Sequence, residues 1–284
     1  MLINTKVLMS GADYFNDGFA INALMDATNP VDLAKAKQEH DSIKHAMQSI
    51  GVEVIKVHPP RGCQDGVYTA NWALCRGDTA VMASLPNKRT DEEDYAAEVL
   101  NKLGKRLVFL PKGLKFSGQG DALPCGDYLF AGTGYRTDRE VHDLLAKNLD
   151  YKVISLQAIP TLDKQKKPVI NKITGWPDSF FYDIDLAIAV LSPNLIAWCR
   201  EAFTPKSQAK IDKLTDIEKI EVSYEEAVKG FACNLVSNGE AVVMSHYAPK
   251  LKKDIENAGF KTITIPATEL FKGGGYIRCT TLTL

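Results

Sequence analysis

The sequence predicts an α/β protein, because helix and strand signals alternate along it and helix starts and stops carry recognisable end signals. Residues 5–9 read as a buried strand. Asn29-Pro30 then opens a helix, with the Asn as cap and the Pro in the first turn. Leu33, Ala36, Ile43, Met47 and Ile50 share one face of it, and Gly51 ends it. Residues 52–57 form the next strand. Thr90 with Glu93 makes a capping box for a helix running to Gly104, ahead of a strand at 106–110. Thr137 with Glu140, and Ser223 with Glu226, open further helices in the same way. A helix over 249–258 stops at Gly259 before a strand at 261–265. Roughly five helix–strand units result, with extra strands between them. No Rossmann glycine fingerprint or phosphate loop accompanies them, so a nucleotide-binding sheet is not favoured.

No strict repeat and no Ser- or Gly-rich linker divides the 284 residues, so one domain over 1–284 is expected. The polar, Pro-containing stretch 162–177 reads as a surface loop or lid. The 34 basic and 35 acidic residues are dispersed, which argues against a nucleic-acid partner. No apolar run approaches the roughly 18 to 20 residues of a membrane span, and the first ten residues are too short and interrupted for a secretory signal. Cys63, Cys75, Cys125, Cys199, Cys233 and Cys279 include no CxxC pair, so neither zinc nor a disulfide framework is favoured. The expectation is a reduced, cytoplasmic protein with a small-molecule partner and no metal or cofactor, compatible with a homo-oligomer.

Four segments concentrate Asp, Asn, Gly and Cys where strands would otherwise be apolar: CQDGVYTAN at 63–71, FSGQGD at 116–121, FYDID at 181–185 and GGGYIRC at 273–279. The triple glycine allows close backbone approach to a ligand, and Cys279 beside it is placed to act as a nucleophile. Taken alone, Cys279 reads more readily as a small buried apolar group, as most free cysteines are. Asp65 and Asp121 read equally as turn residues beside glycine, Asn71 as a local cap and Arg136 as an ordinary residue at a helix start. Asp183 and Asp185, two apart on a strand, would share one face, with Ile184 on the other. Acids in so apolar a run call for either solvent or a cation.

In order, these segments resemble the amidinotransferase and dimethylargininase-like proteins of the guanidine-modifying (pentein) superfamily. The opening VLM with ADYF and Ile21-Asn22 is similar to that family's N-terminal segment. DGVYTAN resembles PDxVFTANAG, FSGQGD resembles FEGxGD, and GYRT at 134–137 resembles GxRT. The run from Phe181 to Leu191 resembles FYHLDxxxxxL, and ELFKGGG with Arg278-Cys279 resembles EFxKxGGGxxC.

The resemblance implies a five-bladed α/β propeller with its site on the central axis. Cys279 would attack a guanidinium carbon, an amine would leave, and the amidino-thioether would pass to water or to an acceptor amine. Asp65, Asp121, Asp185 and Asn71 would grip the cation, since carboxylates match its fork of N–H donors. Arg136 would hold a substrate carboxylate, and Asn22 would be a further contact. Ser117 stands where the family has Glu, and Asp183 where it has its catalytic His. None of the five histidines obviously replaces the latter. Asp183 could serve as the acid only with a raised pKa. Cys279, Asp65, Asp121 and Asp183 are therefore expected to converge on one pocket of a hydrolase acting on arginine or a substituted arginine. The alternatives are an amidinotransferase and a non-catalytic relative that binds a guanidinium or amine.

Overall fold

The computed structural model describes residues 1–18, 25, 28–85, 87–172, 177–266 and 268–284. Asn22 lies outside the described residues. Among the described residues the strands sort into five three-stranded sheets, each built from one ββαβ unit. One unit holds β1 (Lys6–Ser10), α1 (Leu33–Ser49) and β2 (Glu53–Val57). The next holds β3 (Ala73–Arg76), β4 (Thr79–Met82), α2 (Glu93–Lys102) and β5 (Arg106–Val108). β6 (Ala122–Cys125), β7 (Tyr128–Gly132), α3 (Val141–Leu149) and β8 (Lys152–Leu156) follow. Then come β9 (Ile188–Ser192), β10 (Leu195–Trp198), α4 (Pro205–Asp212) and β11 (Glu218–Glu221). After α5 (Tyr224–Gly230), the fifth unit has β12 (Val236–Ser237), β13 (Ala241–Ser245), α6 (Pro249–Asn257) and β14 (Lys261–Ile265). α7 (Glu269–Lys272) and β15 (Leu282–Thr283) complete the chain.

In each sheet the middle strand pairs antiparallel with one neighbour and parallel with the other, the latter reached through the helix. β15 supplies the antiparallel partner that the β1–β2 pair lacks, with Val7 opposite Thr283 and Leu8 opposite Leu282. The five sheets fit a pseudo-fivefold repeat that the sequence does not display as identity.

Pairing geometry and apolar patterning agree where sequence signals are strong. Val7, Leu8 and Met9 are fully buried, and the α1 face of Ala36, Ile43 and Met47 packs into the core. Leu33 is exposed, so that face begins one turn later than expected. The helix starts depart from expectation for identifiable reasons. α1 is capped by Asp32, whose carboxylate accepts the Lys35 N–H at 3.1 Å, rather than by Asn29. Thr90 sits inside a 3₁₀ stretch, and the Glu93 carboxylate is taken by the Leu85 N–H at 2.6 Å, so no capping box forms. Thr137 does not start α3, because its hydroxyl accepts from the Ser117 N–H at 3.3 Å and bonds the Asp121 side chain. Ser223 does cap α5, accepting from the Glu226 N–H at 3.3 Å. The Glu226 carboxylate turns instead to the Lys250 and Leu251 N–H groups at the start of α6.

Residues 181–185 are not a strand: Asp183 is extended and Ile184–Leu186 make a single 3₁₀ turn. The expected terminal strand shrinks to β15, with turns over 277–280. No helix among the described residues is long and apolar enough to cross a membrane.

Candidate active site

The strand that pairs antiparallel with each middle strand, β3, β6, β9, β12 or β15, is preceded by a short turn or irregular stretch, and these carry the polar residues. Thr69–Trp72 precedes β3, Gly118–Gly120 precedes β6, and Ile184–Leu186 precedes β9. Asn234 lies just ahead of β12, and Cys279 lies in the turn before β15. Repeated units thus deliver Asn71, Asp121, Asp185, Asn234 and Cys279 from equivalent places. Adjacent turns are bonded directly, for example through the Ala70 N–H to the Cys279 carbonyl at 3.0 Å.

Cys279 is 6% exposed. Its thiol donates to Asp185 Oδ2 at 3.2 Å and accepts from Asn234 Nδ2 at the same distance. Asn234 Oδ1 in turn accepts the N–H groups of Arg278 and Cys279, at 3.0 and 3.3 Å. One amide therefore fixes both the backbone and the sulfur of the cysteine. Asn234 has no flanking motif; the only sequence signal is a polar residue inside the apolar run 231–236.

Burial holds the Cys279 thiol well above its ordinary value, and the Asp185 carboxylate adds to the shift. Burial likewise raises Asp185, reinforced by the charge of Asp183. Both shifts favour the neutral forms, and the thiol–carboxyl contact is the path along which a proton can move between them.

Asp183 faces different partners. Its Oδ2 accepts from Asn71 Nδ2 at 3.0 Å and from Arg136 Nη1 at 3.4 Å. The Arg136 guanidinium lies over the Tyr182 ring, 4.1 Å from its centre. Asn71 Nδ2 also donates to the Ser117 carbonyl and hydroxyl, both at 2.9 Å, and Asn71 Oδ1 accepts from Arg89 at 2.8 Å. Gly120 is obligatory here, because a Cβ would fall 2.5 Å from Asn71 Nδ2 and 2.9 Å from the Asp183 carboxylate.

A recess lined by Asp65, Tyr68, Asn71, Arg136, Asp183 and Cys279, with Arg89, Tyr182, Gly273 and Gly275, joins these groups. It encloses about 10 Å³, near the space of one water. A Cβ on Gly275 would lie 2.5 Å from the Tyr68 ring, so glycine lets the loop close over the sulfur. The loop is tethered elsewhere too. Glu39 of α1 accepts the N–H groups of Thr268, Glu269 and Leu270, at 2.7, 2.9 and 3.1 Å.

Of the expected residues, Cys279, Asp65, Asn71, Arg136 and Asp183 line the recess, and Asp185 touches the thiol from behind it. Two of the expected residues lie outside the recess wall. Asp121 stands outside the recess wall, where its Oδ1 accepts the Ile184 N–H at 3.1 Å and so braces the turn carrying Asp183 and Asp185. Ser117 is also outside the wall, fully buried behind Asn71. The carboxyl placed on the thiol is Asp185, not Asp183, because the 3₁₀ turn directs the two acids to different partners. None of the histidines lines the recess; His142 is bonded to Ser155 and to the Gly132 carbonyl. Among the described residues, no His, Cys, Asp and Glu cluster has the arrangement of a metal site.

Two further carboxyls are raised, chiefly by burial: Asp65 to about 6 and Asp121 to about 7. Both exceed their ordinary 3.8, so the folded protein binds protons that the unfolded chain has released. The resulting stabilisation is complete below about pH 4 and lost as pH rises through about 6 to 7. Denaturation of the unliganded protein is expected to become easier from about pH 5 to 7.5, apart from other titrations. Asp121→Asn should flatten the upper part of that slope; an unchanged slope would contradict a raised Asp121.

Turns from repeated sheet units gathered around one buried cysteine and its carboxylates are the architecture of the guanidine-modifying, or pentein, superfamily. Within it, the chain belongs to the family described as N,N dimethylarginine dimethylhydrolase, eukaryotic, whose model matches residues 15–284. It is 31% identical to the N(G),N(G)-dimethylarginine dimethylaminohydrolase of Mycobacterium tuberculosis, over 98% of this chain and 85% of that protein. It is 30% identical to the bifunctional arginine dihydrolase/ornithine cyclodeaminase ArgZ of Synechocystis sp., covering 99% of this chain but only 38% of that relative. The crystal structure of the ArgZ N-terminal domain, a Cys-to-Ser variant bound to substrate, superposes with a TM-score of 0.87 at 30% identity. That match covers 98% of this chain and 97% of the domain.

Proposed function

We propose that this chain, as a single domain with its five sheets arranged as propeller blades, is a cysteine-dependent hydrolase of guanidino compounds of the arginine type. The observation that carries the reading is a set of buried carboxylate oxygens without partners. Among the described residues, Oδ1 of Asp65, of Asp183 and of Asp185 finds no hydrogen-bond partner, and all three belong to acids at or against the recess beside Cys279. Unpaired buried acceptors are costly, and a planar cation with several N–H donors would satisfy them together.

The chemistry follows from the contacts. A guanidinium entering between the acids supplies the positive charge that a thiolate needs, and the thiol proton passes to Asp185. The sulfur attacks the guanidinium carbon, giving a tetrahedral adduct. Asp185 returns the proton to the departing nitrogen, which leaves as a neutral amine, and the carbon remains on sulfur as a thiouronium. Water then attacks that carbon, giving up its proton to Asp185. Collapse of the second adduct expels the sulfur and releases a urea-type product, the adduct's hydroxyl proton leaves to solvent or to the departed amine, and the proton on Asp185 restores the thiol. Asp183 and Asp65 hold the cation, Asn71, itself held by Ser117, fixes Asp183, and Asn234 holds the sulfur in line. The hydrolase activities in the names of the relatives support water, not an amine, as the acceptor.

Intact-protein mass spectrometry after incubation with a panel of guanidino compounds tests the reading. The expected result is a mass increase localised to Cys279 and absent from Cys279→Ser. Neither adduct nor turnover with any member of the panel would overturn it.

A further inference from the structure

Among the described residues three arginines are buried, and two of them have carboxylate partners. Arg89 is paired with Glu92, and Arg136 with Asp183. Arg278, the third, makes no ion pair among the described residues. It is 6% exposed, and its guanidinium donates to two neutral oxygens, Gln119 Oε1 at 2.8 Å and Thr283 Oγ1 at 3.1 Å. Both acceptors are held in turn. Gln119 Oε1 also accepts the Thr283 N–H, and Gln119 Nε2 donates to the Thr283 carbonyl. A buried guanidinium fixed against uncharged groups carries a desolvation cost that these contacts offset only in part.

Arg278 and Cys279 are consecutive, yet they line different spaces. Cys279 borders the recess, whereas Arg278 borders a second cavity walled by Leu123, Ile188, Cys233 and Leu235. The two spaces share no lining residue. The second encloses about 20 Å³, the room of one water-sized ion, and shares Asn4 and Pro124 with a wider cavity of about 230 Å³. Gln119 and Thr283, which hold Arg278, line the wider cavity. No acid lines either one, so the Arg278 charge stands among apolar walls and small neutral groups. That charge also reaches the catalytic pair. Burial and Asp183 raise Asp185, and Arg278 is among the groups that oppose them. Asn234 Oδ1 ties the two sides together by accepting the N–H groups of both Arg278 and Cys279.

We propose that the cavity beside Arg278 binds a small monovalent inorganic anion of halide size, and that an anion held there lowers the reactivity of Cys279 from outside the recess. A single negative charge balances the guanidinium, and the small enclosed volume selects against sulfate- or phosphate-sized ions. A positive charge near a thiol favours the thiolate, so neutralising Arg278 removes that help.

Anomalous diffraction from wild-type crystals soaked in bromide should show the ion in contact with the Arg278 guanidinium. No peak there, or the same peak in Arg278→Gln, overturns the site. In solution, iodoacetamide alkylation of Cys279 is followed by peptide mass spectrometry, with gluconate keeping the ionic strength constant. As bromide replaces gluconate, the wild-type rate should fall saturably, by about threefold or more. Arg278→Gln should react slowly at every bromide concentration. Ala189→Leu adds bulk to the cavity wall and keeps the arginine. It should react at the wild-type rate seen in gluconate and ignore bromide. No bromide response in the wild type, or an equal response in Ala189→Leu, overturns the link to Cys279. None of these readouts uses a guanidino compound, so the hydrolase reading stands or falls separately.

Discussion

Cys279→Ser is expected to reduce turnover by about four orders of magnitude or more while leaving the fold and ligand binding in place. The serine hydroxyl can still accept from Asn234 and donate to Asp185, so the local network survives. What is lost is a polarisable nucleophile whose proton the neighbouring acid can remove. Steady-state rates beside thermal denaturation curves check both halves of the expectation. Full activity in the variant would rule out covalent catalysis at this position.

The second large effect separates two acids that sit close in the sequence. Asp185→Asn should slow single-turnover chemistry by about 10²- to 10⁴-fold, the usual contribution of a positioned acid or base, with a smaller change in affinity. Asp183→Asn should do the opposite. A hydrogen bond to a charged group is worth about 1.5 to 3 kcal/mol, so affinity for the cation should fall about ten- to a hundredfold with little change in rate. Dissociation constants and single-turnover rates for both variants decide the matter. A large rate loss in Asp183→Asn with unchanged binding would return the proton-transfer role to Asp183, where the family's histidine stands.

The strands and helices with strong apolar periodicity were legible, as the buried Val7–Leu8–Met9 run and the inner face of α1 show. The helix starts were less so, because capping is a competition. Thr137 and Glu93 have the right residue types, but each is claimed by a distant partner that local sequence cannot show. The same applies in the site. Cys279 and the acids were visible through short motifs, yet an assumed strand put Asp183 and Asp185 on one face. A single 3₁₀ turn is enough to send one to the sulfur and the other to Arg136. Asn234 was missed because an isolated amide in an apolar run has no local signature, and its function exists only once β12 and the Cys279 turn are side by side. Asp121 was visible as an acid, but its role as a brace for a neighbouring turn depends on contacts 63 positions away.

The tether from Glu39 to the start of α7 spans 229 to 231 positions, and β1 waits for β15 over a similar separation. Protein synthesis makes the first partner of each contact long before the second. A nascent chain can form its early ββαβ units as they emerge, but the Cys279 loop meets its partners on α1 and β1 only after residues 268–284 have been made. Closing so long a loop costs entropy that only the completed contacts offset, which places assembly of the cysteine among the late events of folding. Cys279 and the carboxylates around it are thus brought together only once the sheets before them are assembled, and a stalled product carries the carboxylates without the cysteine.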